Sequence, residues 1–347
     1  MAKRLVVCCD GTWNTPDQTS DGKPCPTNVT KIALAVAPED EAGTTQVVYY
    51  HRGVGTERGE HLSGGAFGFG LSRDVQRAYR FITENYEPGD ELYFFGFSRG
   101  AFTARSTAGF VRNAGILRRQ NIGLLDEAYA LYRDRTPNTD PRATESELFR
   151  RSYSHETRIR FIGVWDTVGA LGIPLSGLRL VNLVNRRWQF HDTDLSTTVD
   201  AAFQALAIDE KRRPFAPTIW SQKPDAVGQR LEQVWFSGVH CDVGGGYPST
   251  GLSDITLRWM VDRARSCGLK LGQDVIESTR PDPLGEINES RKAFYRLVPP
   301  FDRKIGQAVR GHELVGSSAL ERQKKDPAYA PPELMTFLEG PHDVRQV

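Results

Sequence analysis

Asp90-Glu-Leu-Tyr-Phe-Phe-Gly-Phe-Ser98-Arg-Gly100-Ala-Phe-Thr-Ala-Arg105 is the stretch on which the reading of this chain turns. The aromatic run from Leu92 to Phe95 predicts a strand buried on both faces, and Ala101 to Val111, rich in alanine with apolar residues at helical spacing, predicts the helix after it. Between them Gly96-Phe97-Ser98-Arg99-Gly100 spaces two glycines evenly about a serine. A serine at the apex of a tight strand-to-helix turn projects its hydroxyl clear of the sheet. Its neighbours two residues away must then lack a Cβ to let the chains pass. The helix that starts there also aims free N–H groups and its positive end at the serine. A serine that merely caps a helix between two packing glycines is the bland alternative.

Working outward, Leu5 to Cys9 reads as the first strand, ending in Asp10-Gly11-Thr12-Trp13-Asn14. A Pro- and Gly-rich surface loop follows, and Thr27 or Asn28 caps a short helix through Val36. Gln46 to Tyr50 is the second strand. Ser63 to Gly70 is a glycine-rich loop ahead of a helix from Ser72 to Tyr86, and Gly53 and Gly55 form a tight turn rather than a phosphate loop, since no full fingerprint follows. Beyond the serine come an amphipathic helix, Ile122 to Arg133, and a polar surface excursion, 134–156. The strand Arg158 to Trp165 then delivers Asp166-Thr167. Leu195 to Asp209 is read as helical. The strand Leu231 to Val239 ends in His240-Cys241-Asp242, and Ser253 to Cys267 is a capped helix. Residues 57–71 and 171–194 are candidate lid or insertion segments over one catalytic domain spanning 1–347. From 268 onward the chain reads as an irregular wrap with a helical patch at Ser317 to Lys325. The expected architecture is α/β: a mostly parallel central sheet with helices on both faces.

Three strand ends thus carry Ser98, Asp166 and His240, in that order. A serine hydroxyl is a poor nucleophile at neutral pH and needs a histidine to take its proton and an acid to fix the histidine's tautomer. Serine, acid, histidine is the chain order of the α/β-hydrolases. Asp242 can orient His240 in place of Asp166, Asp166 can simply cap a turn, and His191 and His312 are the alternative bases. An oxyanion hole is expected from the N–H of Arg99 with one from Gly11 or Thr12, Asp10 holding that loop in shape. Trp13, Phe97, Trp165 and Trp188 either line an acyl pocket or pack in the core.

Composition sets bounds on this reading. The 347 residues carry a formal net charge of +1, 25% charged and 39% hydrophobic residues, which suits a globular enzyme and gives no basic excess that would point to nucleic acid. Five cysteines at irregular spacing predict free thiols rather than a disulfide framework or a zinc site. The short apolar run at the N-terminus is read as a strand rather than a signal peptide, and no run reaches membrane-spanning length. Cytoplasmic residence is expected, with leaderless export as the other route. No cofactor or metal is called for.

Taken together, Cys9-Asp-Gly-Thr-Trp-Asn14, Tyr49-Tyr50 with Gly53-Val-Gly-Thr56, Gly96-Phe-Ser-Arg-Gly-Ala101, Val164-Trp-Asp-Thr-Val168 and Trp235 to Tyr247 resemble an α/β-hydrolase family. Its best-known relatives are the catalytic domains of bacterial type VI secretion phospholipase effectors. The resemblance spans residues 4 to 325. It implies a serine esterase or lipase, with phospholipase activity among its forms, acting on small-molecule or lipid esters, with Ser98 as nucleophile, Asp166 as acid and His240 as base. One departure is visible. Relatives carry a His-Pro-Ser motif near the C-terminus where this chain has Gly316-Ser317-Ser318. Two other readings are kept: a metal-dependent phosphoesterase gathering Asp10, Asp166, His240 and Asp242, and a catalytically silent fold used for binding.

Overall fold

The computed structural model describes residues 2–11, 14–20, 22–53, 64–134, 136–169 and 194–347. Its centre is an eight-stranded sheet. In chain order the strands are β1 (Arg4–Cys9), β2 (Gln46–His51), β3 (Glu91–Phe97), β4 (Phe161–Trp165), β5 (Ala201–Ala207), β6 (Arg230–Phe236), β7 (Glu313–Gly316) and β8 (Val344–Arg345). They lie side by side as β8-β7-β6-β5-β4-β3-β1-β2. Every pairing between neighbours is parallel, so all the strand C-termini meet at one edge. A parallel sheet needs apolar cover on both faces, and β1 shows how the sequence supplies it. Leu5, Val7 and Cys9 point to one side and Val6 and Cys8 to the other, all buried.

The first side is covered by α2 (Gly64–Asn85) and α3 (Arg99–Ala114), through Val75, Ala78, Tyr79, Ile82, Ala101 and Ala104. The opposite side is covered by α1 (Asn28–Ala35) and α7 (Gly251–Ser266), through Val29, Ile32, Leu257, Trp259 and Met260. Helix α1 begins at Thr27, whose hydroxyl accepts the Thr30 N–H as an N-cap. Helices α4 (Leu125–Arg133) and α5 (Thr144–Tyr153) add an outer layer on α3, so the polar stretch 134–156 contains a helix. The glycine-rich run expected to be a loop is helical from Gly64. The expected lid or insertion segments 57–71 and 171–194 fall largely outside the described residues. No described helix is long and apolar enough to cross a membrane, and all five cysteines are free thiols.

Two elements depart from the sequence expectation. Ala201-Ala-Phe-Gln-Ala-Leu-Ala207 is the central strand β5, not part of a helix. Alanine favours helices in isolation, but here small side chains let α7 and its neighbours approach a strand buried on both faces, and tertiary burial overrides propensity. The segment beyond 268, read as an irregular wrap, contributes β7, β8 and the helix α9 (Pro332–Glu339), while the helix α8 (Ser317–Lys325) lies where the helical patch was expected. These close a third apolar cluster around Leu206, Trp235, Val315 and Leu334.

A polar seam runs through the middle of this apolar sheet. Gln204 on β5 and Gln233 on β6 are register partners with no exposed surface. Gln204 accepts from the Thr167 hydroxyl at 2.5 Å and donates to Gln233 Oε1 at 2.9 Å. Gln233 then accepts from the Trp220 N–H at 2.8 Å and donates to the Trp220 and Gly311 carbonyls. Buried amides are tolerable only when fully bonded, and here they stitch the loop after β4, the 217–220 segment and the approach to β7 into one unit. Gln233→Leu leaves several of these groups without partners, and a loss of about 3 kcal/mol in urea-unfolding stability is expected.

Candidate active site

Strand register, before any side-chain chemistry, decides which groups meet. Phe97 pairs with Trp165, and the Ser98 N–H continues the ladder onto the Trp165 carbonyl at 3.0 Å. Ser98 and Asp166 are therefore neighbours as the next residues on adjacent strands. The backbone turns sharply at both: φ is 57° at Ser98 and 43° at Asp166. Only two other non-glycine residues among those described lie in this left-handed region, Arg310 and His312. Strained backbone of this kind persists where the surroundings over-determine it.

The glycines flanking Ser98 are required sterically. A Cβ on Gly96 would sit 2.6 Å from Ala101 Cα, and one on Gly100 would collide with the carbonyl oxygens of Cys9 and Asp10. Helix α3 thus starts hard against the end of β1, with Ser98 at its N-cap making no side-chain cap bond. The capping-serine alternative does not describe this hydroxyl. Gly100→Ala is expected to lower the unfolding midpoint sharply, by ~3 kcal/mol or more in stability, because backbone rather than a movable side chain stands in the way.

His240 must reach back across β5 to meet Asp166, and the turn Ser237–Val239 makes this possible. Gly238 has a φ of 110°, its N–H donates to Asp209 Oδ2 at 2.6 Å, and its carbonyl accepts the Asp209 N–H. His240 then opens the short helix α6 (His240–Gly244), and its Nδ1 lies 2.5 Å from Asp166 Oδ2. The imidazole packs against Phe97, tilted with ring centroids 4.6 Å apart, and against Phe215, edge-on at 4.9 Å. Phe97 is thereby the physical link between the serine turn and the histidine. Among the described residues Ser98 Oγ and His240 are not hydrogen-bonded to each other.

Of the other expected residues, Asp10 is buried and accepts from the Gly11 N–H (2.7 Å), Thr27 Oγ1 (2.7 Å), Thr30 Oγ1 (2.9 Å) and the Tyr50 hydroxyl (2.7 Å). Burial pushes its pKa up, and these bonds oppose the rise without cancelling it. Asp10 therefore shapes the loop after β1, and the Gly11 N–H is already engaged with it. Thr12 and Trp13 lie outside the described residues, as do Trp188 and His191. Phe97 and Trp165 are core residues. Asp242 faces away from the imidazole: it accepts the Val239 and Asn288 N–H groups at 3.0 and 3.1 Å and the Asn288 side-chain amide at 2.7 Å. Asp166, not Asp242, touches His240. His312 precedes β7 at the opposite edge of the sheet and bonds Gln222. Gly316-Ser317-Ser318 spans the junction of β7 and α8. With Asp10, Asp242 and Asp166 each spent on separate partners, the four-residue metal cluster is not assembled, and no group of three such ligands converges among the described residues.

Two charged groups here were not anticipated. Arg303 has no exposed side-chain surface and grips Asp166 with both arms, Nη1 to Oδ1 at 2.6 Å and Nη2 to Oδ2 at 2.9 Å. Glu210, also fully buried, accepts the His240 N–H at 3.3 Å, the Ser290 hydroxyl at 3.1 Å and the Arg212 side chain at 2.8 Å. Arg212 in turn stacks on Phe215, 3.6 Å from the ring centroid. In the sequence both lie in charged runs, Asp302-Arg303-Lys304 and Asp209-Glu210-Lys211-Arg212, that read as solvated surface. Proline at 214 and aromatics at 215 and 301 were the available signals that these runs fold inward.

Against known proteins, residues 3–263 match the family model described as "T6SS, Phospholipase effector Tle1-like, catalytic domain". The chain belongs to this family. A Saccharomyces cerevisiae protein described as uncharacterized, YEL023C, is 27% identical over 244 residues, 64% of this chain and 33% of that protein. The chain thus spans about a third of the length of this curated relative. Among solved structures, an uncharacterized Pseudomonas aeruginosa protein aligns with a TM-score of 0.46 at 17% identity, covering 79% of this chain and 47% of that one. A propionate-bound esterase, Est2, from Thermogutta terrifontis aligns at 0.39 and 14%, covering 77% and 84%.

The electrostatics of the pair have a readable consequence. Burial alone would raise the Asp166 pKa, but the charge of Arg303 and then the contact with His240 outweigh it and hold the carboxyl well below its usual range. Burial lowers the His240 pKa, and the Asp166 bond opposes that only in part. Because the folded imidazole resists protonation, its share of stability is complete above the unfolded value near ~6.5 and is lost as pH falls below it. The Asp166 share is complete above ~4 and is lost below that. In thermal melts across pH, His240→Gln is expected to flatten the decline just below pH ~6.5 while keeping the one below ~4.

Proposed function

We propose that the chain is a serine ester hydrolase acting through an acyl-enzyme, with Ser98 as nucleophile, His240 as general base and Asp166 as the acid that orients it. The observation that carries the reading is the buried Asp166–His240 contact at 2.5 Å beside a serine held at a strained strand-to-helix turn. Asp166 accepts the Nδ1–H of His240, which leaves Nε2 as the proton acceptor. In this reading Nε2 takes the Ser98 proton as Oγ attacks the ester carbonyl carbon. The same proton then goes to the departing alcohol as the tetrahedral intermediate collapses, and a water, activated in the same way, releases the acid. Serine and imidazole need to close up when an ester binds, as catalytic hydrogen bonds often do.

The developing oxyanion would face the N-terminal turn of α3, where the Arg99 N–H lies. The Gly11 N–H is engaged with Asp10, so the reading places the second donor on the Thr12 amide. A lowered imidazole pKa suits the base role, because the ring stays neutral at pH 7. The family description favours lipid esters as substrates, phospholipids among them, and the free thiols fit a reducing compartment, with export through a type VI system as the alternative destination.

Hydrolysis of p-nitrophenyl butyrate by the purified chain tests the reading. Ser98→Ala is expected to lower kcat at least about a thousandfold and to abolish labelling by a fluorophosphonate probe. Turnover retained in that variant overturns the assignment.

A further inference from the structure

Arg303 lies beyond residue 263, where the family match ends, yet both of its terminal nitrogens are bonded twice at the site. Its Nη1 donates to Asp166 Oδ1 and, at 2.8 Å, to the Ala207 carbonyl. Its Nη2 donates to Asp166 Oδ2 and, at 2.5 Å, to the Phe215 carbonyl. From the carboxylate's side, Oδ1 receives Arg303 and the Ala207 N–H at 3.2 Å, while Oδ2 receives Arg303 and His240. Every direction around the carboxylate is thus occupied, and its plane is set by a rigid planar fork anchored to two main-chain carbonyls on separate segments, the end of β5 and the turn at Phe215.

We infer that Arg303 is a positioning residue for the catalytic acid, acting through Asp166 to aim one carboxylate oxygen at His240 Nδ1 and to keep that carboxylate ionised. The inference rests on the reading of Ser98, His240 and Asp166 as a triad and extends it to a residue supplied by the C-terminal part of the chain. A triad acid orients the imidazole through a single hydrogen bond. Here a full counter-charge sits behind it, so the Arg303–Asp166 pair is neutral and the imidazole feels a weakened negative field. Two effects follow. The base keeps a lower pKa than a lone buried carboxylate would give it, and its ring is oriented by a carboxylate that cannot rotate.

The geometry also excludes lysine as an equivalent. An ammonium can meet one carboxylate oxygen but cannot span both while bonding two carbonyls. A charge-only role and a positioning role therefore separate in Arg303→Lys, and Arg303→Met removes both.

Steady-state hydrolysis of p-nitrophenyl butyrate across pH, with the wild-type chain, R303K, R303M and S98A, tests this. For R303M the expected result is a kcat lower by roughly tenfold to a hundredfold with KM within about twofold, and an acid limb of kcat/KM displaced to higher pH, because removing a neighbouring cation raises the imidazole pKa. R303K is expected to keep the wild-type acid limb while losing about tenfold in kcat. A purely structural role would lower the melting temperature and leave the pH profile and kcat of folded protein unchanged, and that result overturns the inference. Should R303M fail to fold, R303K decides: kcat equal to wild type overturns the inference, and reduced kcat with an unmoved acid limb supports it. If wild type and S98A hydrolyse the ester equally, the triad reading itself fails, an outcome distinct from normal catalysis in the Arg303 variants.

Discussion

A carboxylate sealed from water stays ionised only if something nearby repays the lost hydration, and at the rim of this sheet that something is a guanidinium. Asp166 and Arg303 are both without exposed side-chain surface and meet through two short bonds. Everything at the site is arranged around that pair. Asp166 takes its place from the register of β4 against β3 and β5, Arg303 from the two carbonyls it spans, and His240 from the turn that lets it reach Asp166 across an intervening strand. Pairs of this kind contribute little net stability against an apolar equivalent, but breaking one member is costly. The arrangement is better understood as fixing an orientation than as holding the fold together.

The structure also separates carboxylates that look alike in sequence. Asp10, Asp166 and Asp242 each follow a strand at the same sheet edge. Asp10 is spent on holding the loop after β1 to α1 and Tyr50, and Asp242 on tying α6 to Asn288. Only Asp166 meets the imidazole. These partnerships argue against a shared metal cluster more directly than any comparison of motifs.

Much of the fold and of the candidate site was legible because its causes are local. The serine turn follows from two glycines and the strand and helix around them, the start of α1 from Thr27, and the meeting of Asp166 with His240 from strand ends in a parallel sheet. What escaped reading depends on partners distant in sequence. Ala201 to Ala207 carries a helical composition and becomes a strand because β4 and β6 flank it. Arg303 and Glu210 sit in charged runs whose usual place is the surface, and no spacing rule distinguishes a guanidinium that turns inward from its solvated neighbours. The strands β7 and β8 are too short to announce themselves in a proline-rich stretch.

The order of the strands bears on how the molecule comes into being. Synthesis delivers Ser98, Asp166 and His240 first, because β1 to β6 precede residue 240, and the two outermost strands on one side after them. A polypeptide still on the ribosome can thus complete most of its sheet while Asp166 waits for its counter-ion, some sixty residues after His240. In that interval burial without the cation favours the protonated acid, and its carboxyl lacks the fork that fixes its plane. The acid would then acquire its fixed orientation only once residue 303 has emerged, after the strands that carry Ser98, Asp166 and His240 are already in place.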